Sequence, residues 1–176
     1  MQRTCKSLLI TIFGVFALSA CGSEPPHPQA ISNFQLEKYL GTWHEIARFD
    51  HSFERGLSNV TANYSLRSDG KVKVVNRGFK DQSNTWSESV GKAKFAGNPS
   101  TGSLKVSFFG PFYGAYNIVK LDENYQYSLV ISSGFEYLWL LSRQKTMPDD
   151  VKEAYIQKAR ELGFDTSKLI WVKQNL

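Results

Sequence analysis

Residues 60–66 alternate, with Val60, Ala62, Tyr64 and Leu66 apolar and Thr61, Asn63 and Ser65 polar between them. That two-residue period is the mark of a strand with one buried face. Ser68-Asp69-Gly70 follows, then Lys71-Val72-Lys73-Val74-Val75-Asn76, so Asp69-Gly70 reads as a hairpin turn. Further short segments rich in aromatic and β-branched residues lie at 42–49, 87–95, 103–109, 115–121, 127–132 and 137–142, several of them separated by Gly97-Asn98-Pro99, Gly110-Pro111 or Ser132-Ser133-Gly134. The pattern predicts an all-β, antiparallel, up-and-down architecture. Eight strands are enough to close a barrel, which removes exposed sheet edges and leaves an interior wide enough for a small ligand or for packed side chains.

Alternation places Ala62, Tyr64, Leu66, Val72, Val74 and Asn76 on one face and Leu104, Val106 and Phe108 on a matching one. Gly91, Ala93 and Phe95 inward leaves Lys92 and Lys94 in water. For 115–121 and 127–132 the pattern does not choose a face. Asn76 among apolar neighbours needs a hydrogen-bond partner, because an unpaired buried amide costs about 1–3 kcal/mol; Tyr64, Tyr116 or a ligand carbonyl could supply it. The period then changes. Thr146 as N-cap, Pro148 in the first turn and acids behind it open a helix. Val151, Tyr155, Ala159 and Leu162 share one face and Gly163 ends it. A single amphipathic helix after eight strands must pack on the outer wall, and 169–172 could return as one more short strand.

The first twenty residues read differently. Arg3 and Lys6 precede an apolar stretch from Leu8 to Leu18, followed by the small residues Ser19 and Ala20 and then Cys21. This order is that of a secretory signal peptide over 1–20. The apolar stretch is too short for a spanning helix, which needs about 18 residues or more. Leu18-Ser19-Ala20-Cys21 resembles the lipobox of bacterial lipoproteins. That resemblance implies diacylglycerol on the Cys21 thiol, cleavage before it, and a fatty acid such as palmitate on the new amino group. Gly22 stands where lipoproteins kept in the inner membrane usually carry Asp, so the implied destination is the outer membrane. Residues 21–32, with Pro25, Pro26 and Pro28, read as a semi-rigid tether, and 33–176 as the domain.

Composition sharpens this picture in two places. The two cysteines, Cys5 and Cys21, are lost to the signal and to the anchor, leaving no disulfide and no thiol nucleophile. The formal charge of +5 falls to +3 once Arg3 and Lys6 leave, which is no nucleic-acid footprint. Of three histidines, His27 lies in the tether, and His44 and His51 have opposite parity. Nucleophile-elbow and zinc signatures are absent, so neither an enzyme nor a metal or other cofactor is expected.

Gly41-Thr42-Trp43-His44 resembles the first lipocalin signature, with a short helical turn at 34–39 before it, and Leu138-Trp139-Leu140-Leu141-Ser142-Arg143 is similar to the last-strand arginine segment of that family. The lipobox, 39–43, 46–51, 53–57 and 106–114, together with the helix, extend the similarity to the bacterial outer-membrane lipocalins over nearly all of the mature chain. The resemblance implies a lipocalin barrel with a C-terminal helix on its outside, and structural roles for Gly41, Trp43 and Arg143. It implies binding, storage or transport of fatty acids or lysophospholipids and envelope maintenance under stress.

A pocket lined by Ala62, Tyr64, Leu66, Val74, Asn76, Phe95, Leu104, Val106, Phe108 and Tyr116 would take the acyl chain. The loops 50–58, 79–86, 109–114 and 132–136 would form the mouth opposite Trp43. They would bring His51, Phe53, Arg55, Phe112 and Tyr113 to the head group, with Lys80, Glu136, Phe109 and Phe135 nearby. Exposed aromatics around Gly110-Pro111 suggest a membrane-touching rim or a partner surface. The alternatives are a haem or bilin tetrapyrrole held by Tyr64, Tyr116 or His51, and an anchored interaction module with a filled core. A homodimer stays open.

Overall fold

The computed structural model describes residues 29–176; the signal peptide, Cys21 and most of the tether lie outside them. After a short helix α1 (Leu36–Tyr39) come β1 (Gly41–Arg48), β2 (Leu57–Leu66), β3 (Val72–Lys80), β4 (Thr85–Phe95), β5 (Ser103–Ser107), β6 (Gly114–Leu121), β7 (Tyr127–Ile131) and β8 (Leu138–Ser142). Helix α2 (Asp149–Glu161), a 3-10 turn at Thr166–Lys168 and a two-residue β9 (Ile170–Trp171) complete the chain. Neighbouring strands pair antiparallel in chain order, and β1 pairs with both β8 and β2, which closes the barrel. The Asp69-Gly70 hairpin forms, with Gly70 at φ 75° and Arg67 N–H donating to Lys71 O.

Towards the mouth β1 and β2 part, and the chain end fills the gap. Val172 N–H donates to Ile46 O and Asn59 N–H to Lys173 O. The Gln174 side chain donates to both Glu45 O and Val60 O at 2.9 Å. The short strand expected at 169–172 is therefore the piece that mends this seam.

Two bulges explain what alternation could not resolve. In β1, Glu45 pairs with Leu141 but Ala47 with Leu140, so Ile46 and Ala47 both face outward and Arg48 turns inward opposite Trp139. In β6 a similar shift lies between Ile118 and Lys120. The outer faces of β1 and β6–β8 are not solvated either. Ile46, Ala47, Val119, Leu129, Ile131, Leu138 and Leu140 pack there with Tyr155 and Ala159 of α2. Strands apolar on both faces carry no readable period. The helix itself begins at Asp149 after Pro148, without a side-chain cap. The expected Thr146 cap is thus a correction: its backbone O accepts from Ser142 Oγ, which holds the residue in the preceding loop.

Opposite the mouth, Trp43 is fully buried and Arg143 lies 4.0 Å over its ring, donating to Tyr125 O, Thr42 O and Lys38 O. Gly41 holds φ +94°, and a Cβ there would meet Arg143 Nη1 at 3.4 Å. Below the ring plug, Phe34, Tyr39, Phe95, Leu104 and Tyr125 pack into the closed end.

Candidate functional site

The barrel is hollow. A cavity of about 560 Å³ runs from the Tyr64 and Tyr116 rings to the loops at the open end. Its floor is a chain of hydroxyls: Ser128 Oγ to Tyr39 OH at 3.2 Å, Tyr39 OH to Tyr116 OH at 2.8 Å, and Tyr116 OH to Tyr64 OH at 2.8 Å. Burial pushes the Tyr39 phenol up to about 12 and the other two well above their ordinary value, so the floor is neutral. One wall, from β5 and the loop after it, presents Val106, Phe108 and Phe112. Gly91 opens this wall, because a Cβ there would sit 2.8 Å from the Phe108 ring. The β2–β4 wall carries Ala62, Val74, Asn76, Ser87 and Ser89.

Of the residues expected in the pocket, Ala62, Tyr64, Val74, Asn76, Val106, Phe108 and Tyr116 line the cavity. Leu66, Phe95 and Leu104 do not, and this is a correction. They share the inward parity but lie beyond the tyrosine floor. Phe95 and Leu104 pack against the closed-end cluster, and Leu66, next to the β2–β3 turn, is 57% exposed. The Asn76 amide oxygen is buried without a partner, since Tyr64 and Tyr116 bond each other instead.

At the mouth, Phe53, Phe109, Phe112, Tyr113 and Glu136 line the opening. His51 and Arg55 are corrected. Arg55 is exposed and donates to both oxygens of Asp50 at 2.6–3.2 Å. His51 is buried behind Phe53, stacked on its ring at 3.8 Å and 2.9 Å from Glu54 Oε2. Lys80 is exposed away from the cavity, and Phe135 packs on Phe164 outside the barrel.

A third wall was not anticipated. Glu45, Glu54, Tyr137 and Trp139 line it, and Glu54 comes from the loop between β1 and β2. Trp139 Nε1 donates to Glu54 Oε2 at 3.1 Å. Arg48 sits behind, donating to Glu45 Oε1 at 2.7 Å, Glu54 O at 2.8 Å and Leu57 O at 3.4 Å. Parity could have found Glu45, two residues from Trp43 on the inward face; the bulge conceals Arg48. Burial first, and the neighbouring Glu54 carboxylate second, hold the Glu45 carboxyl well above the usual carboxylate range. A proton kept in the folded state and lost in the unfolded one makes stability fall as pH rises above 4.5, the ordinary value. Glu45→Gln cannot ionise. Its stability relative to the wild type is therefore expected to improve as pH rises from that value, a trend that urea unfolding at several pH values checks.

A closed antiparallel barrel with one mouth, an apolar-walled interior and a helix on its flank defines a class, the barrels that hold small hydrophobic ligands. Residues 34–174 match the family described as a lipocalin-like domain, and the chain belongs to the lipocalin family. It is 48% identical over 169 residues to the Outer membrane lipoprotein Blc of Citrobacter freundii, covering 95% of this chain and 96% of that protein. It is 31% identical over 160 residues to Apolipoprotein D of Rattus norvegicus, covering 85% and 84% of the two chains. Insecticyanin from the tobacco hornworm Manduca sexta superposes with a TM-score of 0.69 at 20% identity over 85% of this chain and 86% of its own, a likeness of fold.

Proposed function

We propose that this chain is an outer-membrane-anchored lipid carrier, in which acylated Cys21 holds the barrel to the membrane and the cavity buries the acyl chain of a fatty acid or lysophospholipid. Storage or transport of such lipids would serve envelope maintenance under stress. The observation that carries the reading is the cavity itself: about 560 Å³ with an apolar wall, opening between Phe109 and Phe112, which are 80% and 78% exposed. The volume falls in the range of small-molecule sites, about 300–1,000 Å³. A filled core, which an interaction module without a small ligand would have, is not what the barrel contains.

Relatives named Outer membrane lipoprotein Blc support the location. The tetrapyrrole reading gains nothing from the site, because Tyr64 and Tyr116 bond each other and His51 does not line the cavity. The Phe109–Phe112 rim is one exposed apolar surface that a homodimer would have available to bury. The test is native mass spectrometry with lipid extraction on the chain from Gly22 onward, purified without detergent. A monoacyl lipid retained near one per chain is expected. A bare mass that does not shift on adding lysophospholipid or fatty acid would overturn the reading.

A further inference from the structure

The cavity's walls differ in charge as well as polarity. Glu45, Glu54 and Glu136 line it, while Arg77 is the one basic residue that does so among the described residues. Arg77 is committed elsewhere, its guanidinium 4.1 Å over the Trp86 ring. Independently of the acids, the same side of the cavity is aromatic. Tyr137 and Trp139 stack with centroids 5.7 Å apart and planes within 7°, and Phe53 lies 5.9 Å from Tyr137. Ring faces attract a cation through their quadrupole, and carboxylates beside them add to that attraction while repelling an anion.

From this juxtaposition we infer that the Glu54–Tyr137–Trp139 wall binds the positively charged end of the ligand, so that the carrier prefers single-chain amphiphiles bearing an ammonium group over free fatty acids and over anionic head groups. The inference rests on the carrier reading and narrows its ligand. A fatty acid would bring a fourth carboxyl to a cavity whose lining already has three, two of them on this wall. An ammonium instead donates to Glu54 and lies against the rings. Behind the wall, Arg48 already offsets Glu45 at 2.7 Å, which leaves Glu54 and Glu136 as the acids that meet the ligand; His51 lies 2.9 Å from Glu54, so the comparison belongs at about pH 8, above the ordinary histidine range.

The barrel closes within residues 29–176, so the soluble chain from Gly22 is a fair subject. Four probes of equal chain length are titrated by calorimetry: a monoacyl glycerophosphoethanolamine, the matching lysophosphatidic acid, the matching fatty acid and the matching primary alkylamine. The ethanolamine lipid and the alkylamine are expected to bind at least about tenfold tighter than the two anions. In Glu54→Gln that margin should shrink to about threefold or less, with the anions binding no more weakly than before. Glu136→Gln, at an exposed mouth position, provides a second variant should Glu54→Gln fail to fold, and is expected to narrow the margin by a smaller factor. Lysophosphatidic acid binding as tightly as the ethanolamine lipid, or a margin unchanged in the folded variants, would overturn the inference and leave the carrier reading standing. Failure of all four probes to bind would overturn both.

Discussion

Arg48→Met is expected to cost about 3–5 kcal/mol of stability, the loss associated with removing one partner of a buried ion pair. Arg48 is 2% exposed, and its guanidinium holds three acceptors at once: the Glu45 carboxyl, Glu54 O and Leu57 O. Methionine fills similar space but takes the guanidinium away from the buried Glu45 carboxyl and from Leu57 O, while Glu54 O keeps only the Leu57 N–H. Lysine should rescue little, because a single ammonium cannot reproduce the planar fork. Adding Glu45→Gln to Arg48→Met should recover part of the loss, since the amide has no charge for Arg48 to offset. Urea unfolding of the single and double variants checks this. A loss below about 1 kcal/mol, the scale of a surface pair, would mean the loop between β1 and β2 is held by something other than this guanidinium.

Ala62→Trp is expected to weaken binding of a monoacyl lipid at least about 100-fold, equivalent to about 2.7 kcal/mol. Ala62 lies on β2 opposite Trp43 and Asn76 and faces the cavity. An indole there occupies the space an acyl chain would need. Because that space is open in the wild type, the stability cost should stay near or below about 1–3 kcal/mol, the usual range for overpacking. Equilibrium titration beside urea unfolding separates the two effects. Unchanged affinity in a stably folded variant would place the chain somewhere other than the barrel interior.

The strands and their closure were legible because most of them bury one face, as 60–66 does. The strands that resisted, β6 and β7, are covered outside by α2 and inside by the core, so both faces are apolar. Alternation also says which way a side chain points but not how deep it lies. Leu66, Phe95 and Leu104 share the inward parity of Val74 and Tyr64, yet they fall below the tyrosine floor.

The loops carry no period at all. Arg55 is neutralised by Asp50 five residues earlier, and His51 folds under Phe53, arrangements fixed by tertiary packing. Nor does parity distinguish a filled interior from a hollow one. That depends on small residues such as Ala62, Ser87 and Ser89 facing inward together, which requires the registers of three strands at once.

Intermolecular nuclear Overhauser contacts in the complex with a monoacyl phospholipid test most directly whether the barrel interior holds the acyl chain. Contacts from the chain's methylenes to the methyl groups of Val74 and Val106, with the terminal methyl near the Tyr64 and Tyr116 rings, are the expected result. Contacts confined to the rim at Phe109 and Phe112, with none to Val74 or Val106, would contradict it.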